Sequence, residues 1–304
     1  MAVFVPGDHC LPATPNAVGL LPREFNIVEL KSLKLGPFRK RMDTQRRIER
    51  AAALIANSKY VVALTGAGIS TPSGVPDFRS PGSGLCEKFN PILMASTFSF
   101  RLQPQAFYEW ARPLARKLLE AEPNPAHRAL AKLEDMGLLK AVITQNIDDL
   151  HQKAGSRRVL ELHGNMRQAT CLKCHRVVST HGMMERFLEG EEVPNCSCGG
   201  LLKPNVVLIG EPLPRWVLLE AWGEAERCDL MLVVGSSLEI APAAEIPFVA
   251  LRCGAKAIVV NYQPTPLDSQ AEVVIRKDVA EVLPRIIGQV GRLVDRYIGK
   301  SVDR

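Results

Sequence analysis

Four short runs limit what this chain can become. "YVVALTG" (60–66), "LKAVITQNID" (139–148), "DLMLVVGSS" (229–237) and "KAIVVNY" (256–262) are apolar and rich in β-branched residues, and each ends in glycine or polar residues. A strand apolar on both faces has to be covered on both, which is the condition of a buried parallel sheet. Helical patterns lie around the runs. "RRIERAAALIANS" precedes the first, "NPAHRALAKLEDMG" stops at Gly137 before the second, and "AAEIPFVALRCG" separates the last two. "DVAEVLPRIIGQVGRLVDRYIG" closes the chain as a helix with Pro284 near its start. The alternation predicts an α/β fold, a Rossmann-like doubly wound parallel sheet.

Two segments break the rhythm. Residues 80–125 read as a loop followed by short helices, and residues 166–205 hold a cysteine cluster. Both are expected as insertions forming a smaller module beside the sheet. Residues 1–41 have no sustained periodicity, are rich in Pro and Gly and end in "FRKR", so they read as a poorly structured leader to a catalytic domain spanning 42–304.

The formal net charge of +6 suggests nucleic acid, but half of it belongs to the leader, with six Lys/Arg against three acids. The body of the chain therefore lacks the basic excess of a nucleic-acid surface. No apolar run reaches the roughly 18 residues of a membrane span. The N-terminus lacks the basic and long apolar regions of a secretory signal. Cys10, Cys86, Cys228 and Cys253 are scattered, which is not a disulfide framework. A reducing, cytoplasmic setting is expected.

Gly66 and Gly68 follow the first strand directly, the setting of a turn that brings backbone N–H groups to a pyrophosphate. The sequence then departs from a dinucleotide fingerprint. "GAGISTPSGVPDFR" has Thr71 where a third glycine belongs, and it ends by setting the carboxylate of Asp77, the ring of Phe78 and the guanidinium of Arg79 side by side. No second strand ending in an acid follows some 20 residues later, which counts against an ordinary dehydrogenase. Gln145, Asn146 and Asp148 lie at the carboxyl end of a strand, where doubly wound sheets bind ligands. His163 follows the short apolar run "VLEL" and precedes Gly164, a candidate general base. Cys171-x-x-Cys174, twenty-one residues, then Cys196-x-Cys198 is a four-cysteine zinc pattern with no ligand place left for water, so the metal is structural. The second pair is one residue shorter than usual.

"GAGISTPSGVPDFR", "TQNID", "HG", the paired cysteines, "KPNVVLIGE", "GSSLEIAPAAEIP" and "VVNYQPTPLD" stand in the order found in sirtuins. Over roughly residues 45–290 the chain resembles that family of NAD-dependent protein lysine deacylases, closest to its prokaryotic branch. The resemblance implies NAD as co-substrate and one structural zinc. It implies acyl-lysine proteins or peptides as partners, and nicotinamide, free lysine and O-acyl-ADP-ribose as products. Ala67 and Thr71 would contact the phosphates and adjoining ribose, Phe78 would shield the reacting sugar carbon, and Arg79 would hold phosphate and loop. Asn146, Ile147 and Asp148 would line the nicotinamide pocket, and Gln145 would bond the ribose beside it. His163 would act as general base on a ribose hydroxyl. Gly235, Ser236 and Ser237 would bind phosphate and the adenine-side ribose, with Asn261 on that ribose and Tyr262 and Val279 bordering the adenine. Val207, Gly210 and Glu211 would lie along the acyl-lysine channel, where the substrate backbone adds as a strand.

Three departures from the family's pattern stand out. Ile209 replaces an aromatic before Gly-Glu, and Gly84-Leu85-Cys86 replaces a Gly-Leu-Tyr-like motif. Residues 80–112 lack the Tyr-x-x-Arg that acidic-acyl sirtuins use, which favours acetyl or longer neutral acyl groups. Two other readings remain open: a mono-ADP-ribosyltransferase on the same fold, and a zinc module beside a catalytically degenerate nucleotide domain.

Overall fold

The computed structural model describes residues 43–76, 91–190 and 193–302. The leader, the Asp77–Phe78–Arg79 triplet and Gly84–Cys86 fall outside the described residues. In chain order the helices are α1 (Thr44–Ala56), α2 (Pro91–Met94), α3 (Thr97–Leu102), α4 (Pro104–Glu120), α5 (Pro125–Asp135), α6 (Leu150–Lys153), α7 (His181–Glu189), α8 (Arg215–Arg227), α9 (Ile246–Arg252) and α10 (Val279–Val302). The strands are β1 (Val61–Thr65), β2 (Leu139–Thr144), β3 (Val159–Glu161), β4 (Gly164–Cys171), β5 (Val177–Ser179), β6 (Leu202–Val206), β7 (Leu230–Val234), β8 (Lys256–Val260) and β9 (Val273–Ile275).

Six strands form one parallel sheet in the order β3-β2-β1-β7-β8-β9. Side-chain alternation sorts the apolar runs onto two faces. Val61, Ala63, Leu230, Leu232, Ile258 and Val260 join α1, α5 and α10 in one core; Val62, Leu64, Met231, Val233, Ala257 and Val259 join α8 and α9 in the other. Every residue of β1 and β7 is buried, as expected of strands covered on both sides. Among the described residues, no helix is long and apolar enough to cross a membrane.

The smaller module forms as expected from its two insertions, with structure that the sequence reading did not anticipate. Beyond the short α2 and α3, the first insertion carries a 17-residue helix, α4, with Pro113 inside it. The second contains a three-stranded antiparallel sheet, β5-β4-β6. Aromatic rings join the two insertions. Phe100, Phe107 and Tyr108 from α3 and α4 meet Phe187 of α7, with edge contacts at 4.9 Å for Phe100–Phe107 and 5.3 Å for Tyr108–Phe187. The Tyr108 hydroxyl donates to the Leu202 carbonyl of β6.

Chain order reverses at β1, with β2 and β3 to one side and β7 to β9 to the other. The crevice between the carboxyl ends of β1 and β7 is thus the switch point where such sheets bind ligands. Two loops meet there at backbone distance. Gly68 N–H donates to Gly235 O (2.8 Å), and Gly66 N–H donates to Val234 O (3.2 Å). A Cβ on Gly235 would lie 2.2 Å from Ile69 N, at a φ of +61° that side chains disfavour. These amides hold the two loops together. Gly235→Ala should cost at least about 2 kcal/mol through the clash and the left-handed backbone together. A urea midpoint equal to wild type would show that the two loops do not depend on this contact.

Candidate functional site

The strand ends fall in one row. Glu161 is level with Thr144, Thr144 with Thr65, Thr65 with Val234, and Val234 with Val260. The next residues on each chain therefore make a continuous rim: His163 after β3, Gln145 to Asp148 after β2, Gly66 to Ser70 after β1, Gly235 to Ser237 after β7, and Asn261 after β8.

Gln145 ties this rim together. Its N–H donates to Thr65 O (3.0 Å), its side-chain amide donates to Ser236 Oγ (3.2 Å), and its carbonyl lies 2.8 Å from His163 Nδ1. A carbonyl can only accept, so Nδ1 carries the hydrogen and Nε2 keeps the basic lone pair. His163 is half-buried, and its own carbonyl accepts from Val207 N–H (2.8 Å), joining the base to the start of the expected substrate channel.

Asp148 is 6% exposed. It accepts from the Ser70 hydroxyl (2.6 Å) and from Leu150 N–H (3.0 Å). Burial raises its pKa, opposed by those hydrogen bonds. Asn146 donates to Ser70 Oγ (3.0 Å) and to Gly66 O (3.2 Å). One hydroxyl thus links Asn146 to Asp148, and the sequence reading passed over it.

Behind Ser70 lie two further buried groups that the sequence reading missed. His127 Nδ1 accepts from Asn124 N–H (3.4 Å), so Nε2–H faces Ser70 Oγ (3.4 Å). Asn124 caps α5 and donates to Ile69 O (2.7 Å), fixing the turn that carries Ser70. His151, 1% exposed, sets Nε2 2.9 Å from Thr65 Oγ1, which donates to Thr144 Oγ1 (2.9 Å). Its Nδ1 is buried without a partner among the described residues. Burial pushes the His127 pKa down to about 4 and that of His151 down to about 3. The Asn-Pro-x-His pattern, an N-cap with proline at N1, was the available signal for His127.

The remaining expected residues are placed as follows. Ala67 and Thr71 sit on the β1 turn, Thr71 exposed; Ile147 lies between Asn146 and Asp148 and is half-buried. Asn261 is 8% exposed and donates its side-chain amide to Gln263 O (2.9 Å). Tyr262 is exposed beside it, whereas Val279 is 3% exposed and belongs to the core under the sheet. Ile209 and Gly210 are exposed. Glu211 turns back, accepting from Leu208 N–H (2.9 Å) and Lys203 Nζ (3.0 Å), so its carboxylate shapes the loop. The uncharged amides and hydroxyls of Gln145, Asn146, Ser70, Ser236 and Ser237 along the rim, together with the buried Asp148 carboxylate, are a polar set suited to a carboxamide and sugars, the parts NAD would present.

The four cysteine sulfurs lie within 4.8 Å of one another, with Cys171–Cys198 at 3.5 Å and Cys174–Cys196 at 3.8 Å. A tetrahedron with zinc–sulfur bonds of about 2.3 Å has edges of about 3.8 Å, so the set fits zinc. Cys174 and Lys173 amides donate to Cys171 Sγ (3.5 and 3.4 Å), lowering that thiol toward the thiolate a metal needs. The short Cys-x-Cys pair works because Gly200 follows it: a Cβ there would lie 2.6 Å from Cys171 Sγ.

The buried histidines set an acid limit on stability. Each stays neutral in the fold and binds a proton when unfolded, so the unfolded state gains protons as pH falls below about 6.5. Stability should drop by about 1.4 kcal/mol per pH unit from each histidine between pH 6.5 and their folded values. Asp148, with its raised pKa, works in the opposite direction at the acid end. With zinc saturating, urea unfolding of His151→Gln should show a shallower pH slope than wild type by about 1.4 kcal/mol per unit. Identical slopes would mean that His151 is protonated in the native state.

The Sir2 family model matches residues 66–242. The chain is 52% identical over 248 residues to NAD-dependent protein deacylase 2 of Archaeoglobus fulgidus, covering 81% of this chain and 97% of that one. A solved structure of a Sir2 enzyme, 50% identical, matches with a TM-score of 0.76 over 82% of this chain and 99% of its own. Another, Sir2Af2 bound to a myristoylated histone peptide, is 47% identical, with a TM-score of 0.71 over 83% and 99%. Matched over nearly the whole length of these relatives, and with its glycine turn, four clustered cysteines and the rim from Gly66 to Ser237 inside the residues the family model matches, the chain belongs to the Sir2 family.

Proposed function

We propose that this chain is an NAD-dependent protein lysine deacylase that yields nicotinamide, free lysine and O-acyl-ADP-ribose. The observation that carries the reading is the rim itself. A buried carboxylate held by Ser70 stands on one loop, a histidine with a basic Nε2 stands on the next, and Gln145 connects them. NAD supplies a sugar carbon made reactive by loss of nicotinamide. The side chains around it have separate tasks. Asp148 and Asn146 hold and orient a carboxamide, with Ser70 fixing both. Gln145, Ser236, Ser237 and Asn261 bond sugar hydroxyls and phosphate, and Ala67, Thr71, Gly235 and Tyr262 shape that half of the cleft. His163 Nε2 takes a proton from a sugar hydroxyl, with Nδ1–H kept in place by Gln145 O. Val207 and Gly210 border an apolar channel for the acyl-lysine, and Glu211 stiffens its loop.

The name of the Archaeoglobus relative and the myristoylated peptide bound by Sir2Af2 support this reading. Cys171, Cys174, Cys196 and Cys198 would hold a zinc ion that ties the small domain together without entering the chemistry, since four thiolates would complete its shell. We place the catalytic domain at 42–304, with residues 1–41 as a dispensable leader; the A. fulgidus relative is 97% covered by 81% of this chain. Thiolates kept for a metal suit a reducing compartment, which supports a cytoplasmic protein.

Nicotinamide release from NAD with and without acetyl-lysine peptide tests the reading. A deacylase needs the peptide, a mono-ADP-ribosyltransferase labels protein instead, and a degenerate binding module releases none. His163→Ala should lower deacylation by about 100-fold or more while NAD binding survives, because the imidazole acts after nicotinamide departs. Turnover like wild type in the purified variant would remove His163 from the mechanism. On matched peptides, succinyl-lysine should show kcat/KM at least about 100-fold below acetyl-lysine, since a charge buried without a partner is costly. Equal values would reveal a cation in the channel.

A further inference from the structure

Among the described residues, one ion cluster outside the rim touches both loops that carry its chemistry. Arg167, near the start of β4, sets its guanidinium fork on Glu161, with Nη1 donating to Oε1 (2.9 Å) and Nη2 to Oε2 (2.7 Å). Nη1 also donates to Asp149. Glu161 ends β3, two residues before His163, and accepts further from Gln152 (2.7 Å) and Asn165 (3.2 Å). Asp149 follows Asp148 directly and takes a left-handed backbone, φ +61°. The side chains of Glu161 and Asp149 are 14% and 21% exposed, and that of Arg167 is 44% exposed. A bidentate pair in this setting is held more firmly than a solvated surface pair.

We propose that Arg167 is a positioning residue for the reaction, a clamp that fixes the Asn146–Asp149 loop against the strand carrying His163 and against the small domain. Arg167 belongs to β4, the strand that ends in zinc ligand Cys171, so one side chain joins the carboxamide pocket, the base and the zinc module. Without the cation, Glu161 and Asp149 become two partly buried carboxylates facing one another, and their repulsion drives the loop away from β3. Misplacement of that size is enough to cost catalysis heavily.

The kinetic consequence rests on the deacylase reading. Nicotinamide departure uses the Asp148 loop, and deacylation also needs His163. A loosened clamp should therefore lower deacylation more than it lowers exchange of labelled nicotinamide into NAD. Arg167→Met should reduce kcat for deacylation about tenfold, leave KM for the peptide within about twofold and raise the ratio of exchange to deacylation. Arg167→Lys, which keeps the charge and loses the fork, should fall between the two. Asp149→Asn tolerates the left-handed backbone and should lower kcat in the same way, and adding Arg167→Met to it should give less than the sum of the two effects. Independently of activity, hydrogen exchange at residues 146–151 of full-length, zinc-loaded Arg167→Met should speed up about tenfold while β1 and β7 stay unchanged. Unchanged exchange at 146–151 in both single variants would overturn the clamp. So would kcat and nicotinamide exchange falling in parallel with loss of zinc. A wild-type protein inactive on acyl-lysine would sink the deacylase reading alone, and loop protection would still decide the clamp.

Discussion

The structure depends on one close approach, the contact between the loops after β1 and β7. Gly68 donates to Gly235 across the switch point, and neither loop has room for a Cβ there. The contact closes the floor of the cleft with backbone alone. Ser70 and Asn146 can then reach each other, and Gln145 can extend from the His163 ring to Ser236. The glycines that look like a phosphate-binding turn are required first by the protein's own packing.

The polar groups under this floor form a layered network: Asn146 to Ser70 to Asp148, Ser70 to His127, His127 to Asn124. Nearly every member is neutral, and the one carboxylate is desolvated and accepts from Ser70 and from Leu150 N–H. Such a network is rigid because an unpaired buried polar group is expensive, so its members hold one another in a single arrangement. Its cost is sensitivity to acid, through His127, to which the neighbouring buried His151 adds. The zinc module contributes at a distance: β4 runs from beside His163 to Cys171, so metal, small domain and base are joined by one strand.

Much of this was legible in the sequence, and for physical reasons. A strand covered on both faces must be apolar throughout, so "VVALT" and "LMLVV" declared a parallel sheet, and four thiols in pairs declared a metal. Asn146, Asp148 and His163 were legible as candidates, because polar residues at the ends of apolar strands stand out there, and the structure puts them on one rim. Ser70, His127 and His151 were not. They are buried polar residues on loops and helices, and their partners lie 57 to 86 residues away in the chain. The bond from the Gln145 side chain to Ser236 was not legible either. Val279, expected beside the adenine, packs in the core under the sheet. Arg167 escaped notice because its acceptors lie on two other segments and nothing in its own neighbourhood marks it. α8 and the three-stranded sheet were also missed, the latter because its alternation is interrupted by the metal loops.

The proposed function puts carboxamide recognition, on the loop after β2, next to the base, after β3, on one side of the β1–β7 cleft. A crystal structure with NAD and an acetyl-lysine peptide tests it most directly. The account predicts the nicotinamide amide against Asp148 and Asn146, the adjoining ribose within hydrogen-bond reach of His163 Nε2, and the acetyl-lysine beside Val207. NAD bound with its nicotinamide outside that cleft, or His163 turned so that Nε2 faces away from the ribose, would contradict it.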